Sequence, residues 1–129
     1  MSTQTLKVTM NQLFVRDNGD APGKSELYWS LMADDQLIDI RDVSNALKVG
    51  DGETIVLGNS GTVTKSTGAT LTILGSVADK DDFLKGADDT ASFKHTFTAA
   101  NGWGIGSHTA QLNDGKHLNI TLQYTIAAE

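Results

Sequence analysis

Leu118-Asn119-Ile120-Thr121-Leu122-Gln123-Tyr124-Thr125-Ile126 alternates apolar and polar residues without a break. A period of two puts every second side chain on one face, which is the signature of a β-strand with one side buried. The opening of the chain repeats the pattern. Leu6, Val8 and Met10 alternate with Lys7, Thr9 and Asn11, and Leu13 and Val15 resume after a one-residue change of phase. That shift predicts a bulge near Asn11-Gln12.

Between these two strands the same period recurs in short runs. Leu27, Trp29, Leu31 and Ala33 share one face of a strand that starts at Glu26, and Asp34-Asp35 breaks it before a short segment, Gln36 to Ile40, able to pair back. Ile40, Val43 and Leu47 fit one short helical turn as well as irregular packing. Turns are expected at Val49 to Glu53 and again at Gly58-Asn59-Ser60-Gly61, with Thr54 to Leu57 as a strand before the second and Val63 in a short strand after it. Ala69, Leu71, Ile73 and Gly75 form a further face, and Phe93, His95 and Phe97 another. Asn101 to Gly106 is a glycine-rich loop around Trp103, and Asp114-Gly115 marks the last turn. Seven or eight short strands with no long amphipathic helix predict an all-β, antiparallel sandwich.

The 129 residues suit one domain, residues 1–129, able to bury a core without staples. The absence of cysteine removes disulfides, thiolate metal sites and cysteine nucleophiles, and leaves the compartment undecided. The polar start Met1 to Thr5 has no secretory pattern, and no apolar run is long enough to span a bilayer. A soluble protein is expected, cytoplasmic or exported without a cleavable signal. A net charge of -6 opposes binding to nucleic acid, and to an anionic membrane unless cations intervene.

The acid is concentrated. Val77 to Thr90 carries five aspartates, and Asp17-Asn18-Gly19-Asp20 supplies two more in the first loop. Carboxylates so close repel unless they splay into water or gather around a hard cation such as calcium. A solvated acidic loop is the plainer alternative. Calcium takes about six to eight oxygens, so loops far apart in sequence would have to converge. In a sandwich the loops collect at two ends, and the Asp17 and Asp79 loops are able to share one.

With its strands placed, the chain resembles the C2-type calcium-binding β-sandwich. The resemblance rests on the Leu6-Lys7-Val8-Thr9 strand, an aspartate loop leading to Glu26-Leu27-Tyr28-Trp29, the Ala69 to Val77 strand entering Asp79-Lys80-Asp81, the later Asp88-Asp89, and the closing Leu118 to Ile126 strand. It implies calcium held between aspartates of two or three loops at one tip, and docking on lipid or protein. Asp79 and Asp81 match the family's paired aspartates and Asp88 the later one. Asp17 and Asp20 stand closer together than the usual first-loop pair, and there is no basic cluster of the kind that binds phosphoinositides. Asp17, Asp20, Glu26, Asp79, Asp81 and Asp88 are the expected ligands, with Asp82 and Asp89 facing solvent.

Other chemistries have less behind them. His95, His108 and His117 lack zinc-ligand spacing, and no Gly-x-Ser-x-Gly elbow suggests a hydrolase, so no enzyme is expected. Trp103, with Asn101 and His108, is placed either to stack on a sugar and bond its hydroxyls or to fold back and plug the sandwich. Two function classes follow. One is a calcium-dependent binding or adhesion module for a glycan, protein or lipid. The other is a structural protein whose strand edges and bound calcium join copies into homo-oligomers or fibres.

Overall fold

The computed structural model describes residues 2–18, 25–80, 89–115 and 118–129. Among these described residues lie nine strands: β1 (Thr3–Asn18), β2 (Ser25–Ala33), β3 (Gln36–Arg41), β4 (Leu47–Val49), β5 (Thr54–Ser66), β6 (Thr70–Asp79), β7 (Asp89–Thr98), β8 (Gly106–Asn113) and β9 (Leu118–Ala128). Two antiparallel sheets stack. One runs β5-β1-β9-β8, the other β3-β2-β6-β7 with β4 also on β2. β3 lies over β5 and β7 over β8.

The alternation read from the sequence decides which residues face inward. Leu6, Val8, Leu13 and Val15 of β1 and Leu118, Ile120, Leu122, Tyr124 and Ile126 of β9 are buried, as are Leu27, Trp29 and Leu31 of β2 and Leu71, Ile73 and Val77 of β6. Burying this apolar surface is the main force holding the sheets together. The expected bulge is present, because the pairing of β1 with both neighbours shifts between Met10 and Gln12.

The strand count and one turn differ from expectation. β4 is a three-residue strand that pairs with Ser25, Glu26 and Leu27 of β2, too short to carry its own periodicity. The helical turn is a 3₁₀ turn, Val43–Asn45, between β3 and β4. Gly58 to Gly61 is no turn: β5 continues through it, paired with β1 from Thr54 to Ser66. Sixteen-residue β1 offers partners on both sides of its bulge, and Leu57-Gly58 passes that bulge opposite Asn11, with Gly58 at φ +87°. Tertiary pairing thus overrides local turn chemistry.

Polar bonds fasten the two sides. The Asp39 carboxylate, only 6% exposed, accepts the Trp29 indole N–H at 2.8 Å and the Asn59 amide at 2.8 Å, tying β2 and β3 to β5 of the opposite sheet. At the β2–β3 turn Asp34 accepts the Thr72 backbone N–H at 3.0 Å and Lys65 Nζ at 2.9 Å.

Candidate metal centre

Register decides which loops meet. Leu27, near the start of β2, pairs with Asp79, the last residue of β6, and Asp79 also pairs with Asp89, the first residue of β7. Asp17, near the end of β1, pairs with Asn119 at the start of β9. The β1–β2, β6–β7 and β8–β9 connections therefore leave the same end of the sandwich. The β4–β5 turn with Asp51 and Glu53 joins them, since Val15 and Gly52–Glu53 exchange backbone hydrogen bonds at 2.7 and 2.9 Å.

Of the six expected ligands, Asp17, Glu26 and Asp79 are described, and Asp20, Asp81 and Asp88 lie outside the described residues. The three that are described do not form one cluster. Asp79 is fully buried on the inner side of its sheet, opposite Leu27. Glu26 is the neighbour of inward Leu27 and so belongs to the outer face, where its carboxylate stands 3.8 Å from Lys80 Nζ. The Lys80 N–H also bonds the Glu26 carbonyl at 2.7 Å. Among the described residues no three histidine or acidic side chains are gathered closely enough to hold a metal.

Asp89, expected to face solvent, is only partly exposed and stands directly across from Asp79. Like charges at directly opposed strand positions destabilise a sheet, with Cβ atoms only about 4.5–5.5 Å apart. Carboxylate oxygens are hard donors, of the class that calcium prefers over soft transition metals. In sequence Asp89 is the last acid of a run, and only the β6–β7 pairing sets it against Asp79.

Asn101, Trp103 and His108 have structural work. Trp103 sits in the core with 7% of its surface exposed, so its ring offers no open face on which a sugar could stack. Asn101 Oδ1 accepts the Thr98 N–H at 2.8 Å and caps the 3₁₀ turn Ala99–Gly104. His108 Nε2 donates to the Gly104 carbonyl at 2.5 Å, and its ring stacks on Tyr124 with centroids 5.1 Å apart.

These residues belong to a seam that closes the β7–β8 side of the sandwich. His95 lies between Phe93 and Phe97, with edge-on contacts to both rings, and its Nδ1 is 2.5 Å from the Tyr124 hydroxyl. Burial holds the His95 imidazole below its ordinary value, and the nearby His108 adds to the effect. Burial pushes the Tyr124 hydroxyl up. A depressed histidine means that the unfolded chain takes up the proton first. Stability from this seam is therefore full above the unfolded histidine value of about 6.5 and declines as pH falls through it. For tyrosine the sign reverses: the unfolded phenol ionises first, and stability falls above about pH 10. Thermal melts from pH 5 to 11 should show a plateau between these limits, and His95→Gln should remove the acid-side decline.

Neither a protein-family model nor a curated protein matches the chain. Solved structures do. A C2 domain of plant extended synaptotagmin 1 superposes with a TM-score of 0.56 at 10% identity, over 98% of this chain and 94% of that one. A C2 domain protein from Ramazzottius varieornatus gives 0.52 at 11% identity, over 98% and 89%. The fold is that of a C2 domain. The two calcium-bound C2 domains of extended synaptotagmin 2 give a TM-score of 0.53 at 13% identity, with 97% of this chain covering 45% of that one. At these identities the likeness is one of fold. Among the described residues no helix is long and apolar enough to cross a membrane.

Proposed function

We propose that this C2-fold chain is a non-enzymatic binding module whose loop end is ordered by calcium and docks on a partner only when calcium is bound. The observation that carries the reading is the cross-strand pair Asp79–Asp89, set beside the start of β2 at the end of the sandwich where β1 and β6 finish. A divalent cation turns that repulsion into attraction and draws carboxylates from several loops together. Asp79, Asp89 and Asp17 would hold it with Asp20, Asp81 and Asp88. Glu26, on the outer face beside Lys80, is a weaker candidate. Extended synaptotagmin 2 domains of the same fold have been solved with calcium, which supports the assignment. Bound calcium would also offset negative charge at this end of a chain whose net charge is -6 and let it approach an anionic surface such as a lipid headgroup layer.

Calcium titration by calorimetry beside thermal melts tests the reading. Ligand at 100 times its Kd should stabilise the fold by about 2.7 kcal/mol, and Asp79→Asn with Asp89→Asn should abolish the gain. An unchanged melting temperature at millimolar calcium would overturn it. Calcium-bridged self-assembly is the second reading, favoured by β8, an edge strand with no charged residue and no bulge in its pairing with β9. Light scattering that grows on adding calcium selects it over the monomeric module.

A further inference from the structure

The outer face of the β3-β2-β6-β7 sheet carries a groove that the calcium reading does not use. Its floor is one cross-strand row, Ile40–Ser30–Ser76–Ser92, in which three small hydroxyl side chains lie side by side. The row on one side is Tyr28–Ala78–Thr90, and on the other Leu37–Met32–Leu74–Lys94. Tyr28 on one side and Met32 and Leu74 on the other are larger than Ser30 and Ser76 between them, so the surface dips over these two serines. Two cavities follow that line, of about 260 and 320 Å³, and share Ser30 and Ser76.

Three features define what fits. First, Leu37, Ile40 and Val43 are 51%, 53% and 45% exposed, three of the five strongly exposed large apolar residues among those described, and all border the β3 side of this face. Apolar groups gathered at a groove mark a contact surface. Second, the charged residues lining the two cavities are Arg41, Asp42 and Lys94. Two cations against one carboxylate is a local reversal of sign in a protein of charge -6. The Arg41 guanidinium is anchored by its Nε bond to the Asn45 carbonyl at 2.6 Å, which fixes it at the β3 end. Third, the floor offers hydroxyls, able to donate to or accept from a peptide backbone.

We propose that this groove binds an extended acidic-aliphatic peptide segment of a partner protein, independently of calcium. Aliphatic side chains rest on the Leu37, Ile40 and Met32 side, and the backbone lies over the serines. Carboxylates reach Arg41 at one end and Lys94 at the other. β3 and β7 are separated by three strand spacings of about 4.8 Å, near 14 Å in all, which an extended chain rising about 3.3 Å per residue covers in four residues. The segment therefore carries acids about four positions apart. A bilayer is flat and cannot follow a trough, and two cations are few for an anionic surface.

The test is a titration of the isotopically labelled full chain, followed by amide NMR in the presence of chelator. The probes are seven-residue peptides with acids four apart around aliphatic and small residues, and the same peptides with lysine in place of each acid. Shifts confined to Ser30, Ser76, Ser92 and Ile40 are expected, with affinity at least tenfold lower for the lysine peptides. Arg41→Ala, at a half-buried position, and Lys94→Ala, at an exposed one, should each weaken binding severalfold, and Ser76→Leu should block it by filling the floor. The proposal is overturned if no acidic peptide shifts these amides at millimolar concentration, or if lysine peptides bind as well. It is equally overturned if these amides respond instead to phosphatidylserine vesicles or to the protein's own concentration. Working in chelator keeps failure here separate from failure of the calcium reading.

Discussion

Trp29→Ala should cost about 3–5 kcal/mol, the range for emptying a large aromatic site in a core, a large share of the 5–15 kcal/mol that holds a typical domain. Trp29 is 5% exposed and its loss opens a cavity between the sheets. It also removes the donor to Asp39, whose buried carboxylate then keeps Asn59 alone of its two bonds. The two effects separate experimentally. Trp29→Phe keeps an aromatic ring in the site but removes the indole N–H together with part of the volume; losing the donor alone should cost about 1–3 kcal/mol, the penalty for a buried acceptor left without its partner. A double-mutant cycle with Asp39→Asn should give a coupling of about 0.5–3 kcal/mol. Far-ultraviolet circular dichroism in urea is the appropriate probe, since removing one of two tryptophans alters fluorescence directly. If Trp29→Phe proves neutral, the Asp39 bond is not part of what joins the sheets.

Asp39 also shows where sequence reading stops. The inward residues of β1, β2, β6 and β9 were legible because alternation is a local property of the chain, and the core follows from it. Asp39 gave no signal: it sits in Leu37-Ile38-Asp39-Ile40, and only pairing with Leu31 turns it inward to meet Trp29. The Gly58 to Gly61 segment misleads for the same reason, because its turn-forming residues continue the strand, with Gly58 in the bulge, when β1 supplies partners on either side. At the acidic end, composition shows which segments are rich in acid but not which acids stand opposite one another. The Asp79–Asp89 opposition and the separation of Glu26 onto the outer face are facts of register, set by pairing between strands rather than by spacing along them. The resemblance to C2 domains anticipated the fold through its order of parts. It carried no information on Trp103, whose burial decides between a sugar platform and a plug in favour of the plug.

Gly102 and Gly104 offer a measurement of how tightly that turn is packed. Both adopt φ +67°, a conformation that costs an L-residue about 1–2 kcal/mol. They differ in what lies above them. A Cβ on Gly102 would meet nothing within 4 Å, whereas one on Gly104 would press into the Phe97 ring, 2.6 Å from Cε1 and 2.7 Å from Cγ. Gly102→Ala should therefore lose only the backbone preference. Gly104→Ala should lose that and a further 1–3 kcal/mol, about the cost of overpacking a filled site. The excess has a second readout. Phe97 contacts His108 with centroids 4.9 Å apart, His108 bonds the Gly104 carbonyl, and His108 stacks on Tyr124. Displacing the Phe97 ring should thus move the NMR signals of His95, His108 and Tyr124 together in Gly104→Ala and leave them in place in Gly102→Ala. Equal destabilisation by the two substitutions would mean that Phe97 yields at no cost, and that the β7–β8 seam is softer than its ring contacts imply.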